Sequence, residues 1–451
     1  MIASSYRRGL HLGGPSGAYS GQAIRHMVVG GGRVNGRKEL WMKTGGCEAL
    51  RSFVSLCRDR PVVFLAIGLV WGAFSTACSS PPCQTSALKA KFQSELNALH
   101  EEYHFPGATA AYGLPDGTVQ VVAVGLADVE RKVPMQADSR MLAASIGKTF
   151  VGATVVALGK ENQLDLDAPI SNWLSDRPWF SKLPNHNTIT LRHLLTHTSG
   201  LANHLENADF AKALQANWPQ RCEAFSPESC IGYVLDRPAL FEPGEGWHYS
   251  DTGYLLVGLI IEGVTGRTYY DELKRRFLVP LGLTLTIPSD RPELPGLAAG
   301  YMAADNAFGL PQKTTVRTGR MAWDPGLEWT GGGLASNPRD LVLWAKALFE
   351  GNVMDGDYLR TILDSVPVSK EAPTVRYGLG VAIHEDGALG PTYGHGGWIP
   401  GYSSSLRYYR RQGVAIAFQI NTDIGIVDDS TALFEEMENR LARVVINDAK
   451  N

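Results

Sequence analysis

Strand-like segments occur on both sides of a long central region that patterns mainly as helices and loops. In the first third of the chain, residues 107–114 and 118–125 are rich in β-forming residues and flank Pro115-Asp116-Gly117, which has the chemistry of a hairpin turn. The later segments are YGLGVAI at 377–383, SSSLRYY at 403–409 and VAIAFQI at 414–420. These two groups predict one sheet that the C-terminal part of the chain completes, with a helical insertion between them.

Helical patterns fill the central region and frame the strands. The segments are SALKAKFQSELNALH at 86–100, TLRHLLTH at 190–197, TGYLLVGLIIEGV at 252–264 and DELKRRFLVPLGL at 271–283. Asn337 is a favoured N-cap and Pro338 a favoured first helical residue, so a helix is expected from there to about Gly351. A final helix is expected from about Thr431 to Val445.

This order of elements divides the chain into three parts. Residues 84–164 and 331–448 are assigned to one discontinuous α/β sheet domain, and residues 165–330 to a mostly helical domain. Residues 1–77 are assigned to an N-terminal extension and signal peptide. A cleft between the sheet domain and the helical domain is where a functional site is expected.

The signal peptide is predicted from an apolar run, Val62–Phe74, that follows Arg58 and Arg60 and precedes the small residues 75–77. Thirteen apolar residues are too few to span a bilayer comfortably, so a cleaved signal is favoured over a transmembrane anchor. We therefore expect an exported protein, periplasmic or secreted. Attachment to a membrane is expected only if Cys78 carries a lipid.

Charge and cysteine content exclude some partners. Removing the 10 basic and 3 acidic residues of the first 77 leaves 32 basic and 42 acidic residues, a formal net charge of −10. Nucleic acid is not an expected partner, because binding to it needs a basic surface. Cys222 and Cys230 lie in RCEAFSPESC, and an oxidising compartment favours a local disulfide between them; two free buried thiols are the alternative.

The segment ASIGKT at 144–149 carries the strongest candidate for chemistry. A phosphate-binding loop would need a glycine at position 142, which is Leu142, so the nucleotide interpretation fails. The competing pattern is S-x-x-K, in which Ser145 and Lys148 share one helix face and the amine can reach the hydroxyl. Ser86-x-x-Lys89 has the same spacing but lies in an open, polar helix, so its lysine is expected on the surface.

A helix N-cap is the structural alternative for Ser145. That alternative leaves Lys148 unexplained, because a cation in the first turn faces the positive end of the helix dipole at a cost of roughly 0.3 to 1 kcal/mol. The same field, together with burial, would favour a neutral amine that can accept a proton.

Two other chemical patterns are weak. His193 and His197 have the i, i+4 spacing of zinc ligands, but the metalloprotease form needs a glutamate where this chain has Leu194. No G-x-S-x-G nucleophile elbow occurs in the sequence. A hydrolase built on Ser145 must therefore find its base elsewhere, and we expect no metal or organic cofactor.

Two further motifs follow in a fixed order. Tyr249-Ser250-Asp251 precedes an apolar helix, and Gly394-His395-Gly396-Gly397-Trp398 precedes a strand. The chain resembles the serine β-lactamase and D-Ala-D-Ala carboxypeptidase superfamily over about residues 105–440. The segments that carry the resemblance, besides these motifs, are SIGK, LLTHTSGL, FEPGEGWHYSDTGYLLVGLIIE, VPLGL, GGGLASNPRDLVLW, YGLG and GHGGWIPGYSS. The branch is the class C β-lactamase-like one, which includes esterases and D-aminopeptidases. The resemblance implies an α+β fold, an antiparallel sheet flanked by helices with an inserted, mostly helical domain.

The resemblance also implies roles for the motif residues. Ser145 would be the acylated nucleophile, Lys148 its proton partner and Tyr249 the general base. His395 and Gly397 would form the third motif and bind substrate, with Gly397 leaving room along the strand edge. The backbone N–H groups of Ser145 and Trp398 would form the oxyanion hole, an arrangement that acyl transfer requires.

Two positions depart from the family pattern. Asp251 stands where an asparagine is usual; it is expected in the substrate site, could pair with Lys148, and cannot donate a hydrogen bond when ionised. Gly396 stands where a threonine or serine hydroxyl would help to hold a substrate carboxylate.

The expected function is an exported serine hydrolase acting on a small molecule or peptidoglycan peptide, D-Ala-D-Ala carboxypeptidase-like or β-lactamase-like. The alternatives are an esterase or D-aminopeptidase of the same fold, and a non-catalytic penicillin- or peptidoglycan-binding protein.

Overall fold

The first long strand pairs with the last one, so the two ends of the described chain meet in one sheet. The computed structural model describes residues 82–217, 225–306, 308–427 and 430–448. Strand β1 lies antiparallel to β14, with Ala110 opposite Phe418. The strands are β1 Gly107–Gly113, β2 Val119–Asp128, β3 Val133–Pro134, β4 Met141–Leu142, β5 Ile287–Pro288, β6 Thr315–Arg317, β7 Arg320–Met321, β8 Leu334–Ser336, β9 Val366–Pro367, β10 Val375–Tyr377, β11 Ala382–His384, β12 Thr392–Ile399, β13 Tyr402–Tyr409 and β14 Val414–Ile420.

Within the described residues, nine of these strands form one antiparallel sheet in the order β3-β2-β1-β14-β13-β12-β11-β10-β9. The α-helices are α1 Pro82–Tyr103, α2 Lys148–Lys160, α3 Ser171–Leu174, α4 Leu191–Leu195, α5 Ala208–Asn217, α6 Pro227–Ile231, α7 Asp251–Thr265, α8 Tyr269–Leu273, α9 Pro338–Phe349, α10 Tyr358–Ile362 and α11 Leu433–Asp448. The predicted sheet and its completion by the C-terminal strands are confirmed.

The sheet is covered on both faces because successive strand residues point to opposite sides. On one face, Ala110 and Tyr112 of β1 pack with the apolar sides of α1 and α11. On the other face, Ala111 joins the larger core that contains α2, α7 and α9. Helix α2 is buried from Lys148 to Leu158, which places its first turn deep in this larger core.

Local sequence signals located most of these elements correctly. Gly117 has φ +87° in the turn between β1 and β2, as the predicted hairpin needs. Asn337 caps α9 by accepting a hydrogen bond from the Asp340 N–H, and Pro338 is the first residue of that helix. Lys89 is exposed on α1, as expected for the second S-x-x-K.

The prediction of one strand over residues 377–383 is wrong. Tyr377 ends β10 and Ala382 begins β11, and the two strands pair as a hairpin. Gly380, with φ +78°, lies so close to α2 that an added Cβ would be 2.2 Å from the Lys148 carbonyl oxygen. A continuous strand is excluded because the chain must turn at this contact.

The helical region and the sheet region share one core. The described parts of residues 165–330 contain mainly short helices and loops, and they belong to the same compact unit as the sheet. A small sheet in the order β4-β8-β5 joins strands from both predicted domains. The predicted division of the chain at 164/165 and 330/331 stays a prediction.

Several expectations fall outside the described residues. They are the N-terminal extension with its signal peptide, Cys78 and Cys222. Cys230 is a buried free thiol, so the predicted Cys222–Cys230 disulfide is not part of the described structure. None of the helices in the described ranges has the length and apolar character needed to cross a bilayer.

Candidate active site

Ser145 lies in a 3₁₀ turn, Ala144–Gly147, that leads directly into α2. Ala143 precedes the turn and Gly147 precedes the helix, so Ser145 caps neither element and the N-cap alternative is wrong. Ala144 has φ +48°, a left-handed conformation that costs a non-glycine residue free energy. The turn thus presents a partly exposed serine hydroxyl at the start of a buried helix.

Lys148 is fully buried one turn after the serine, and three acceptors surround its ammonium group. Nζ donates to Ser145 Oγ at 3.1 Å, to Asp251 Oδ1 at 2.5 Å and to the Gly331 carbonyl oxygen. An ammonium group has three N–H donors, so this set satisfies the charged form completely. The predicted pairing of Lys148 with Asp251 is confirmed.

Tyr249 approaches the same hydroxyl from the helical region. Its hydroxyl donates to Ser145 Oγ at 2.8 Å, and its ring lies 4.9 Å from Lys148 Nζ. Burial, and next the charge of Asp251, raise the pKa of Tyr249 well above the ordinary value for tyrosine. The hydroxyl is therefore protonated at neutral pH, which argues against the expected role of Tyr249 as general base in the free protein.

His197 supports the Tyr249 ring. The two rings lie 4.2 Å apart, and His197 Nδ1 accepts a hydrogen bond from the Ser250 N–H at 3.1 Å. Burial, and next the charge of Lys148, lower the pKa of His197 well below the ordinary value for histidine. Helix α4 ends at Leu195 and His197 has φ +62°, so His193 and His197 do not share one helix face as a zinc-binding pair would.

Asp251 begins α7, where a carboxylate faces the positive end of the helix dipole. Its backbone N–H donates to Asn203 Oδ1 at 3.3 Å, which fixes the start of the helix against the segment before it. Asp251 also lines the pocket beside Ser145. The residue therefore contacts both the buried lysine and the space open to a ligand.

His395 does not line the pocket, although the sequence placed it in the substrate site. Its side chain is buried, with Nε2 2.8 Å from Tyr377 Oη and Nδ1 2.5 Å from the Gly396 carbonyl oxygen. Burial lowers the pKa of His395 to about 3, with the charge of Lys148 as the next cause. Because both ring nitrogens have intramolecular partners, this neutral histidine orders the wall behind Tyr249.

Gly397 brings β12 into close contact with the segment that carries Ser145. A Cβ at position 397 would lie 2.2 Å from the Ala143 carbonyl oxygen and 2.3 Å from Ser404 Oγ. A glycine is therefore required here by contact with protein atoms, and the expected room for substrate along this strand stays a prediction. Trp398 follows it and lines the pocket with Ser145, so the oxyanion hole from their two N–H groups stays a prediction.

Strand β12 extends past its neighbour β11 at this point. Ala382 pairs with Gly394 at the end of the ladder, whereas residues 395–399 pair with β13 on the other side. In the described part of the chain, the ladder between β11 and β12 therefore ends at Gly394, before the rest of the third motif. The predicted sheet edge for substrate stays a prediction.

The pocket beside Ser145 is mainly apolar and holds about 600 Å³ not filled by protein atoms, some of it open to solvent. Its lining residues are Ser145, His204, Leu205, Phe210, Leu214, Asp251, Phe308, Leu310, Trp323, Leu327, Glu328, Gly331, Trp398, Ile399 and Pro400. No lysine or arginine is among the described residues on this wall. An apolar lining with a few polar groups is typical of a site for a small organic ligand.

Sequence reasoning missed two contributors to this site, Glu328 and the Gly331 carbonyl. Both lie in the 3₁₀ segment Pro325–Gly331, which Thr330 attaches to α7 by donating to the Tyr254 carbonyl oxygen at 2.7 Å. The run of three glycines at 331–333 signals close backbone contacts. A sequence pattern does not show which carbonyl or carboxylate those contacts bring to the lysine.

Known proteins with related sequences include hydrolases and penicillin-binding proteins. Penicillin-binding protein 4 of Amycolatopsis lactamdurans is 28% identical over 372 residues, 79% of this chain and 91% of the relative. Esterase EstB of Burkholderia gladioli is 27% identical over 382 residues, 77% of this chain and 95% of the esterase. The crystal structure of D-amino acid amidase from Ochrobactrum anthropi SV3 with L-phenylalanine amide aligns at a TM-score of 0.67 and 26% identity, covering 80% of this chain and 99% of the amidase.

A family model described as Beta-lactamase matches residues 92–437, which include Ser145, Lys148, Tyr249 and the third motif. The match spans the antiparallel sheet and the helical region that together form the pocket. On this match and this geometry, the chain belongs to the Beta-lactamase family, and the proteins it resembles include an esterase and an amidase.

Proposed function

We propose that this protein is a serine hydrolase that forms an acyl-enzyme on Ser145 and acts on esters or amides of small, apolar acyl groups. One observation carries the proposal: Lys148 Nζ and Tyr249 Oη, from different parts of the chain, both lie within hydrogen-bond distance of Ser145 Oγ. A hydroxyl held between a potential base and a donor is the arrangement that nucleophilic catalysis needs.

Lys148 is the proposed base, assisted by Asp251. Transfer of one proton from Nζ to Asp251 Oδ1, 2.5 Å away, leaves a neutral amine whose lone pair can accept the Ser145 proton. Ser145 Oγ then bonds to the substrate carbonyl carbon, and the bond to the leaving group breaks as the proton passes to that group. Tyr249 donates to Oγ throughout, because its raised pKa keeps the hydroxyl protonated. Water completes the cycle by hydrolysing the acyl-enzyme.

The pocket favours an acyl group that carries no negative charge. The Asp251 carboxylate lines it, and no described lysine or arginine does. Gly396 also leaves the third motif without a side-chain hydroxyl for a substrate carboxylate. These features support the esterase and amidase alternatives over a substrate that ends in a free carboxylate.

Hydrolysis of D-Ala-D-Ala peptides or β-lactams is the second candidate. The relative named penicillin-binding protein 4 supports it, and so does the end of the β11–β12 ladder at Gly394, beyond which an extended peptide could lie along β12. Export to the cell envelope remains part of this proposal, supported by the apolar run Val62–Phe74.

Intact-mass spectrometry after treatment with a fluorophosphonate, a 4-nitrophenyl ester or penicillin tests the reaction class. The proposal expects one adduct per chain and ester turnover, both absent in Ser145→Ala. Ser86→Ala is the matched control, since it changes the exposed second S-x-x-K and should keep both. An adduct that persists in Ser145→Ala, or no adduct with any reagent, would refute the acyl-enzyme. Penicillin labelling without ester turnover would favour the second candidate.

A further inference from the structure

Glu328 places a carboxyl group in the apolar pocket, and the catalytic proposal does not use it. Its Oε2 atom is buried and has no hydrogen-bond partner among the described residues. The side chain shares the pocket with Ser145 and with apolar groups that include Phe210, Phe308 and Trp323. Burying a hydrogen-bond acceptor without a donor costs free energy. The described part of the site therefore lacks a donor for this carboxyl oxygen.

The described residues around the pocket do not supply a donor for Glu328 Oε2. Burial raises the pKa of Glu328 to about 8, and the nearby charge of Asp251 also acts to raise it. Lys148 acts in the opposite direction, but its three donors are already directed to Ser145, Asp251 and Gly331. The carboxyl group is therefore protonated at pH 7. It is expected to ionise when a cation binds beside it.

The backbone around Glu328 is held in place. The next residue, Trp329, has φ +36° and ψ −114°, an unfavourable conformation for a side chain with a Cβ. Its ring packs so closely on α7 that a Cβ at Gly258 would lie 2.5 Å from ring atoms. The Trp329 carbonyl oxygen accepts from the Gly333 N–H at 2.7 Å. These contacts keep Glu328 on the pocket wall.

We propose that Glu328 binds the primary ammonium group of a ligand whose large apolar group fills the rest of the pocket beside Ser145. The inference rests on the proposed function and specifies its substrate as an ester or amide of an amino-bearing, apolar acyl group. Binding exchanges the proton of Glu328 for a charge-assisted hydrogen bond from the ammonium group, and that proton goes to the buffer. Asp251 does not serve in its place, because it already accepts from Lys148.

Binding without turnover tests the subsite directly. The probes are 2-phenylethylamine and 2-phenylethanol, titrated by calorimetry into Ser145→Ala at pH 7 in two buffers with different ionisation enthalpies. We expect the amine to bind roughly 30-fold or more tightly than the alcohol, with net release of a proton. Adding Glu328→Gln should remove both the preference and the proton release. Equal affinities, no binding of the amine, or a preference that survives Glu328→Gln would overturn the proposal.

Kinetics give an independent readout. The substrates are the 4-nitroanilides of D- and L-phenylalanine and of 3-phenylpropionic acid, which lacks the amino group. Glu328→Gln should lower kcat/KM for the better amino substrate roughly 30-fold more than for the deamino one. Glu206→Gln is the matched control: Glu206 pairs with His248 and does not line the pocket, so the ratio should stay unchanged. Equal losses on both substrates would assign Glu328 a different role. If the wild type hydrolyses no anilide or ester, the proposed function fails, while the calorimetry still decides the subsite.

Discussion

Lys148 Nζ lies 2.5 Å from Asp251 Oδ1, and both side chains are withdrawn from solvent. Residues 103 positions apart in the chain thereby join the first turn of α2 to the first turn of α7. Charges inside a protein need a partner, and removal of one partner leaves the other uncompensated. The pair therefore links the sheet region, which contains Ser145, to the helical region, which contains Tyr249.

Loss of this buried ion pair should lower the free energy of unfolding far more than loss of an exposed pair. Asp251→Ala is expected to lower the free energy of unfolding by about 3 kcal/mol or more, because Lys148 stays buried without its carboxylate. Urea denaturation of Asp251→Ala, Lys148→Met and the double variant measures the coupling, and the double variant should lose less than the two single losses combined. Asp209→Ala, which removes the exposed partner of Lys212, should change stability by less than about 1 kcal/mol. Strict additivity at the buried pair would contradict this.

The Tyr249 hydroxyl is expected to matter for catalysis more than for folding. Tyr249→Phe removes its 2.8 Å hydrogen bond to Ser145 Oγ and should lower kcat/KM for a nitrophenyl ester by roughly 100-fold or more. Tyr254→Phe is the matched control, since the Tyr254 ring also lies near Lys148 but its hydroxyl donates to the Leu195 carbonyl oxygen. That variant should lose about 1 kcal/mol of stability and keep most activity. Similar activities of the two variants would remove Tyr249 from the mechanism.

Glu328 should make folding stability depend on pH in a definite direction. Its folded pKa of about 8 lies above the ordinary value of 4.5, so between these values the folded protein holds a proton that the unfolded chain has released. The contribution of this group therefore falls as pH rises from about 4.5 to about 8. Glu328→Gln should gain stability relative to the wild type by roughly 1 to 4 kcal/mol between pH 5 and pH 9. Urea denaturation at both pH values checks this, and a constant difference between the proteins would contradict the raised pKa of Glu328.

Much of the fold followed from local chemistry in the sequence. The hairpin at Gly117 and the Asn337 cap depend on residues within a few positions of each other, so a short window contains the whole signal. The two S-x-x-K motifs were separated correctly by their surroundings, an apolar helix for Lys148 and an open one for Lys89. The order of the three motifs was enough to bring Ser145, Lys148 and Tyr249 together.

The failures share one cause, which is contact between distant segments. The turn at Gly380 exists because the chain passes against the Lys148 carbonyl, and no local pattern records that approach. The motif around His395 likewise does not show that its ring lies against Tyr377, so its place in the substrate site stays a prediction. The sequence did not identify Glu328, because a glutamate next to a tryptophan does not indicate that the carboxyl group lines a pocket.

The two neighbouring glycines of the third motif should respond very differently to the same small change. A Cβ at Gly397 would lie 2.2 Å from the Ala143 carbonyl oxygen, closer than real contacts allow. This carbonyl group belongs to the backbone, so it cannot move away as a flexible side chain could. Gly397→Ala must push β12 away from the Ser145 turn, and we expect activity to fall at least 100-fold with a stability loss of about 3 kcal/mol. At Gly396 the nearest atoms would be 3.8 Å away, an ordinary contact. Gly396→Ala should therefore keep its activity and match or exceed wild-type stability, because alanine loses less conformational entropy in a strand. Ester turnover and thermal melting of both variants measure the contrast. If Gly397→Ala were as active and stable as Gly396→Ala, the close packing of β12 against the Ser145 turn would not stabilise the site.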